Sequence, residues 1–182
     1  KIKGNLKKKK LVYFGRIHPH KNIHLVIESF IQSRLDDEWK LEIYGIKDDI
    51  NYYNHLKKKI QNHTQISIKE PVFGLEKQKI MKEAWLNVLV SKSEVLSLSI
   101  LESSLYGLPS LINKEIEVSG FDNSIIKTDL ILNNITQRMK EISKWSLEER
   151  VIKEEDIIKD ANRETSLERI SLKYKSLYSE IE

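Results

Sequence analysis

The chain has 182 residues, of which 40% are hydrophobic and 32% charged, and a formal net charge of +4. That is apolar enough for one cored domain and excludes a disordered chain. No apolar run approaches the ~20 residues of a membrane span, no stretch reads as a secretion signal, and the lack of cysteine excludes disulfides and thiolate metal sites and suits a cytosolic protein.

In chain order, residues 1–10 hold Lys1, Lys3 and the run Lys7, Lys8, Lys9 and Lys10. They read as a solvated basic linker entering the first strand. A basic arm for lipid headgroups or nucleic acid is the other reading of such a run, but no aromatic–basic platform accompanies it. Leu11, Val12, Tyr13 and Phe14 form a strand candidate that ends at Gly15, where backbone can approach a ligand closely. Arg16 and Lys21 then flank a loop before a helix over 23–33. Two cations near a helix start suit its dipole poorly and suit a diphosphate well; taken alone they read equally as ordinary surface cations. His18, His20 and His24 are close in sequence, but Pro19 interrupts their spacing and no neighbouring carboxylate or cysteine completes a set, so no metal site is assigned.

A second strand over 39–44 ends at Gly45, and a basic amphipathic helix covers 49–62. A third strand over 66–68 runs into Glu70, Pro71, Val72, Phe73 and Gly74. A helix over 75–84 and a buried, apolar strand over 85–90 follow. Behind that strand come Ser93, Glu94 and Ser97, with Ser97 placed to N-cap a helix marked by Leu98, Leu101 and Leu105 and closed by Gly107 and Pro109. The free amides of Leu98 and Ser99 at that helix start, beside the end of a strand, make an anion site. Glu94 and Glu102 cannot help hold phosphate; they can accept from sugar hydroxyls on either side of it.

Strands over 109–112 and 124–127 complete an alternation that predicts a parallel α/β sheet of about six strands with helices on both faces. Ser146 to Glu149 and Thr165 to Glu168 are capping-box patterns that open helices running to about Asp160 and Ser179.

Glu94 and Glu102, separated by seven residues and followed by Gly107, Leu108 and Pro109, resemble the E-x7-E signature of retaining group 1 glycosyltransferases with the GT-B fold. The loop from Gly15 through Arg16 to Lys21 resembles that family's G-R-x-x-x-x-K-G motif, with Asn22 in place of the last glycine. Asn also visits left-handed backbone. The likeness runs from about Leu11 to Tyr178. It implies a three-layer Rossmann-like domain over 11–182, the nucleotide-sugar-binding C-terminal half of a GT-B enzyme, with the acceptor-binding N-terminal half outside this chain.

What the resemblance implies for the site is specific. Arg16 and Lys21 neutralise the donor diphosphate and Glu94 faces the sugar, so these three carry the catalytic role. Gly15, Leu98 and Ser99 approach the donor through backbone, Val72 and Phe73 line the base, and Glu102 binds the ribose. The donor is a UDP- or GDP-linked sugar, and neither a metal nor another cofactor is required. The implied setting is the cytoplasm, with peripheral contact at the inner face of a membrane, in polysaccharide or glycolipid synthesis; nucleic acid is not an implied partner. A non-catalytic nucleotide-sugar-binding module is the alternative. Two departures stand out. Val95, Leu96 and Ser97 replace the family's Gly-Phe-Gly or Gly-Phe-Pro, which implies a different loop beside the sugar. Lys47 stands where a second glycine usually follows Gly45.

Overall fold

The computed structural model describes residues 7–94 and 98–166. Its centre is one six-stranded, all-parallel sheet in the order β3-β2-β1-β4-β5-β6. The strands are β1 (Lys10–Phe14), β2 (Lys40–Tyr44), β3 (Ile66–Lys69), β4 (Leu86–Leu89), β5 (Ser110–Asn113) and β6 (Ile125–Thr128). Burial follows position in the sheet. Every residue of β4 and β5 is buried, whereas the edge strands β3 and β6 are partly exposed. That is the pattern expected of a parallel sheet covered on both faces.

The helices are α1 (Ile23–Ser33), α2 (Ile50–Ile60), α3 (Gly74–Glu83), α4 (Leu98–Leu105), α5 (Leu132–Ser143) and α6 (Leu147–Glu164). Alternation along β1 sends Leu11 and Tyr13 into one core and Val12 and Phe14 into another, as successive side chains must in a strand. The larger core takes Ile23, Val26 and Ile27 of α1, Leu56 of α2, and Ile135 and Met139 of α5. The smaller core takes Met81 of α3 with Tyr44, Ala84 and Leu108.

Helix α5 is absent from the reading by pattern, which passes over 129–145. It packs against α1, and the indole N–H of Trp85 donates to the carbonyl of Ile142 near its end at 3.0 Å. The expected capping box at Ser146 and Glu149 is formed, but α6 continues past Asp160 to Glu164. Thr165 ends that helix; the helix expected beyond it, and the Ser97 cap, lie outside the described residues.

The lysine run is not uniformly solvated. Lys10 is the first residue of β1. Lys7 is buried, its ammonium donating to the carbonyl of Lys82 at 2.6 Å and pairing with Glu154 at 2.8 Å. Arg150 is fully buried and donates to the carbonyls of Trp85 at 3.1 Å and Gly107 at 2.9 Å. Trp85 directly precedes β4, so α6 is fastened at the N-terminal ends of the strands. Burial pulls the Arg150 guanidinium down to about 10, against the opposing pull of Glu154. Gly107 closes α4 with a left-handed φ of 67°, and a Cβ there would lie 2.4 Å from Glu154 Cγ, so a side chain at this turn is strained.

Candidate functional site

The strand order reverses direction between β1 and β4, which makes the C-terminal ends of these two strands the switch point where a crevice opens. Two glycines bring the loops there into contact. A Cβ on Gly45 would lie 2.1 Å from the carbonyl oxygen of Gly15, and one on Gly15 would lie 2.8 Å from Tyr13 Oη. The β1 and β2 loops therefore touch backbone to backbone, and Tyr13 Oη secures the first by donating to the carbonyl of Arg16 at 2.8 Å. Burial, and after it the charge of Glu94, raises the Tyr13 hydroxyl above the usual phenol range, so it remains a donor. Lys47 lies beyond this contact. Its ammonium pairs with Glu70 at 2.7 Å and sits 5.1 Å from the Tyr53 ring centroid.

Asn22 adopts φ 51° and ψ 33°, the left-handed conformation that the glycine of the similar motif would supply. Its side chain does more than tolerate the turn: Nδ2 donates to the carbonyl of Val90 at 3.0 Å. A further bond runs from the amide of Lys92 to the carbonyl of His20 at 3.0 Å. The β1 loop is thus tied to the end of β4, and Lys21 is carried against Glu94. Their ammonium and carboxylate are 2.7 Å apart, with side chains 16% and 12% exposed.

Between the strand ends and α4 lies a cleft of about 400 Å³. Phe14 and Tyr44 border it as a stacked pair, ring centroids 5.3 Å apart. Val72 and Phe73 border it from the loop before α3, and Leu98, Ser99 and Glu102 from α4. Gly15 and Arg16 reach it from the β1 loop. The buried Oγ of Ser99 has no hydrogen-bond partner among the described residues. Ile46, Phe73 and Leu98 are large apolar side chains left exposed at the same place.

Seven of the nine residues expected in the site therefore share one cleft, and Lys21 and Glu94 form a separate pair beside it. Arg16 and Lys21 do not point together: the Arg16 side chain is 63% exposed and its guanidinium pairs with Asp48 at 3.0 Å. Sequence reasoning missed Phe14 and Tyr44 as cleft residues, together with Lys77 of α3, whose ammonium pairs with Glu102. Nothing local marks Lys77, one lysine among several on a polar helix.

The histidines go elsewhere. His18 and His20 stack with centroids 5.2 Å apart, and His24 Nδ1 lies 2.9 Å from Tyr52 Oη. Among the described residues no three His, Asp or Glu side chains gather to hold a metal ion, and no helix is long and apolar enough to cross a membrane. A second groove, beside β6 and α5, holds two ion pairs of its own, Lys114 with Asp129 and Arg138 with Glu141, and also the side chain of Lys127.

Comparison with known proteins identifies the family and the fold. The family model described as glycosyl transferases group 1 matches residues 1–163. Among solved structures, a glycosyltransferase from Rickettsia africae superposes with a TM-score of 0.80 at 14% identity, covering 97% of this chain and 48% of that one. Anabaena Alr3699/HepE, solved with UDP and glucose, gives 0.75 at 14% identity, covering 95% and 48%. A single-site mutant of S. aureus TarM, solved with fondaparinux, alpha-GlcNAc-glycerol and UDP, gives 0.76 at 18% identity, covering 96% and 36%. The chain thus spans about half or less of the length of these solved relatives. No curated protein sequence matches it.

Proposed function

The chain belongs to the glycosyl transferases group 1 family, and from that premise we propose that it is the donor-binding half of a retaining, metal-independent glycosyltransferase. The observation that carries the reading is the cleft at the switch point. There the start of α4, the Arg16 loop and Glu102 converge on a space of about 400 Å³. Relatives of the same fold have been solved with UDP, which supports a nucleoside-diphosphate sugar as the ligand.

In this reading the donor diphosphate lies at the start of α4. The amides of Leu98 and Ser99 meet it on one side and Arg16 on the other. The base rests along Val72 and Phe73, and the ribose hydroxyls donate to Glu102. Transfer breaks the bond between the anomeric carbon and the diphosphate, whose departing oxygen keeps the bonding pair, and forms a bond from that carbon to an acceptor hydroxyl oxygen, whose proton passes to the departing diphosphate. Stabilising that anion is the main electrostatic task, and the cations of Arg16 and Lys21 supply the charge a divalent metal would otherwise bring. Lys21 reaches the phosphate by exchanging Glu94 for it, which releases the Glu94 carboxylate to accept from the sugar hydroxyls. The same event thus arms both groups.

The acceptor, and the other wall of the cleft, belong to a second half that this chain does not include. The exposed Ile46, Phe73 and Leu98 are where that half would close. Acceptor orientation accounts for ~7–11 kcal/mol of such a barrier, so this chain alone binds donor without useful transfer. The proposed setting is the cytoplasm at the inner face of a membrane, in polysaccharide or glycolipid synthesis. Calorimetric titration of the chain with UDP and GDP tests the reading. One of them binds saturably; failure of both to bind contradicts it.

A further inference from the structure

Helix α3 reaches the cleft through a single cation. The Lys77 ammonium donates to Glu102 Oε2 and lies 5.5 Å from the centroid of the Phe14 ring. Phe14 in turn stacks on Tyr44, and all four residues border the cleft. Lysine side chains on a helix surface ordinarily move freely. This one is only 19% exposed and is held from two directions, by an aromatic face and by a carboxylate.

The carboxylate it holds has a difficulty of its own. An ionised Glu beside a site for a diphosphate repels the ligand, and a carboxylate free to rotate accepts from a diol in no fixed direction. Lys77 addresses both. It occupies one oxygen, Oε2, and leaves Oε1 and the remaining lone pairs for a ligand. It also balances the charge locally, without itself lying at the start of α4 where the anion is held.

We propose that Lys77 is a positioning residue for donor binding, orienting and charge-balancing Glu102 so that the ribose hydroxyls are accepted beside the diphosphate. This rests on the donor-site reading above. It sets ribose selectivity by a pair of groups on two different helices, 25 residues apart in sequence.

The test is calorimetry with whichever of UDP or GDP binds the wild-type chain and with its 2′,3′-dideoxy counterpart. The proteins are wild type, Lys77→Met, Lys77→Arg, Glu102→Gln, the double variant Lys77→Met/Glu102→Gln, and Lys79→Met. Lys79 is exposed on the same helix, so Lys79→Met removes the same charge away from Glu102 and controls for net charge. Lys77→Met is expected to lose about tenfold in affinity for the ribonucleotide, the scale of one charge-assisted hydrogen bond, and to lose the preference for ribose. Lys77→Arg keeps both, since a guanidinium also bonds a carboxylate and faces a ring. The double variant binds no more weakly than Lys77→Met, because the charge to be balanced is gone.

Wild-type affinity and ribose preference in Lys77→Met overturn the inference. So do fully additive losses in the double variant, which would place Lys77 on the ligand itself. In both cases the wild type still binds and the donor-site reading stands. If the wild type binds neither nucleotide, the donor-site reading fails and takes this inference with it.

Discussion

The two ends of the sheet hold similar charges in opposite ways. At the N-terminal end of the strands, Arg150 and Lys7 are buried and bonded mainly to backbone carbonyls, those of Trp85, Gly107 and Lys82. At the C-terminal end, Arg16, Lys21 and Lys77 each pair with one carboxylate, of Asp48, Glu94 and Glu102 respectively. A carbonyl fixed in the backbone has no other use, so the first set holds the fold together. A carboxylate partner can be exchanged for a phosphate or can turn to a sugar, so the second set can serve a ligand. The difference lies in what the cations are bonded to, backbone carbonyls at one end and exchangeable carboxylates at the other.

The sharpest break in that comparison is at the ligand end. Arg16→Ala with Lys21→Ala is expected to weaken binding of the nucleoside diphosphate by about 3–6 kcal/mol, at ~1.5–3 kcal/mol for each charged hydrogen bond. Loss of the exposed Arg16–Asp48 pair should change stability little, whereas loss of Lys21 leaves the Glu94 carboxylate, 12% exposed, without its partner and lowers stability as well, so affinity is compared for the folded protein. Calorimetry together with urea unfolding of the same protein checks both halves. Unchanged affinity in a folded double variant would remove the loop from the site.

Arg150→Ala reverses the pattern. It leaves the buried carbonyls of Trp85 and Gly107 without their donor, at a cost of about 1–3 kcal/mol each. The midpoint in urea falls, while the folded fraction keeps its affinity for nucleotide at low temperature. A loss of affinity greater than the loss of folded protein would show that the two ends are coupled.

The smallest effect sharpens the account of stability through pH. Glu42 on β2 is paired with Lys10 and Lys69, each at 2.6 Å, and accepts from Tyr44 Oη at 2.7 Å. Burial alone would raise its carboxyl, but the bonds from Lys10, Lys69 and Tyr44 outweigh burial and hold it at about 2, against an ordinary 4.5. A carboxyl depressed on folding supplies stability that is complete above the unfolded value and lost as pH falls through the folded one. Thermal unfolding of wild type and Glu42→Gln should therefore differ most above pH 4.5 and converge towards pH 2. A gap that is constant with pH would mean that Glu42 acts by packing and not by charge.

Much of the fold is legible in the sequence because the central strands are apolar runs and the turns carry glycine. The bounds of α1 expected from pattern, 23–33, are those observed, Ile23–Ser33. Helix α5 is not legible in the same way, although Ile135, Met139 and Ile142 recur at helical spacing. Its N-cap, Ile131, makes no side-chain capping bond, so no start signal announces it, and only packing on α1 defines it. The ends of α6 show the same contrast: the Ser146 box is plain, but its continuation past Asp160 depends on the burial of Ala161 and Glu164.

In the cleft, Gly15, Leu98 and Ser99 can be placed from a strand end and a helix start. The resemblance supplies Arg16, Lys21, Glu94 and Glu102, together with the loop at Val72 and Phe73. Neither route supplies partners. Lys21 and Glu94 lie 73 residues apart, and local pattern carries no information at that distance. Asn22 reads as a substitute for glycine, and its left-handed φ bears that out. Its bond to Val90, which joins the two loops, arises only in the folded chain.

A cleft that holds a nucleoside-diphosphate sugar with Glu94 at the sugar distinguishes that ligand from the free diphosphate. Titration of wild type and Glu94→Ala with the free nucleoside diphosphate and with its intact nucleotide sugar tests it most directly. The variant is expected to lose little affinity for the free diphosphate, which has no sugar for Glu94 to touch, and about tenfold for the nucleotide sugar, as for lost bonds to a charged acceptor. An equal loss for both ligands would contradict it and place Glu94 at the phosphate.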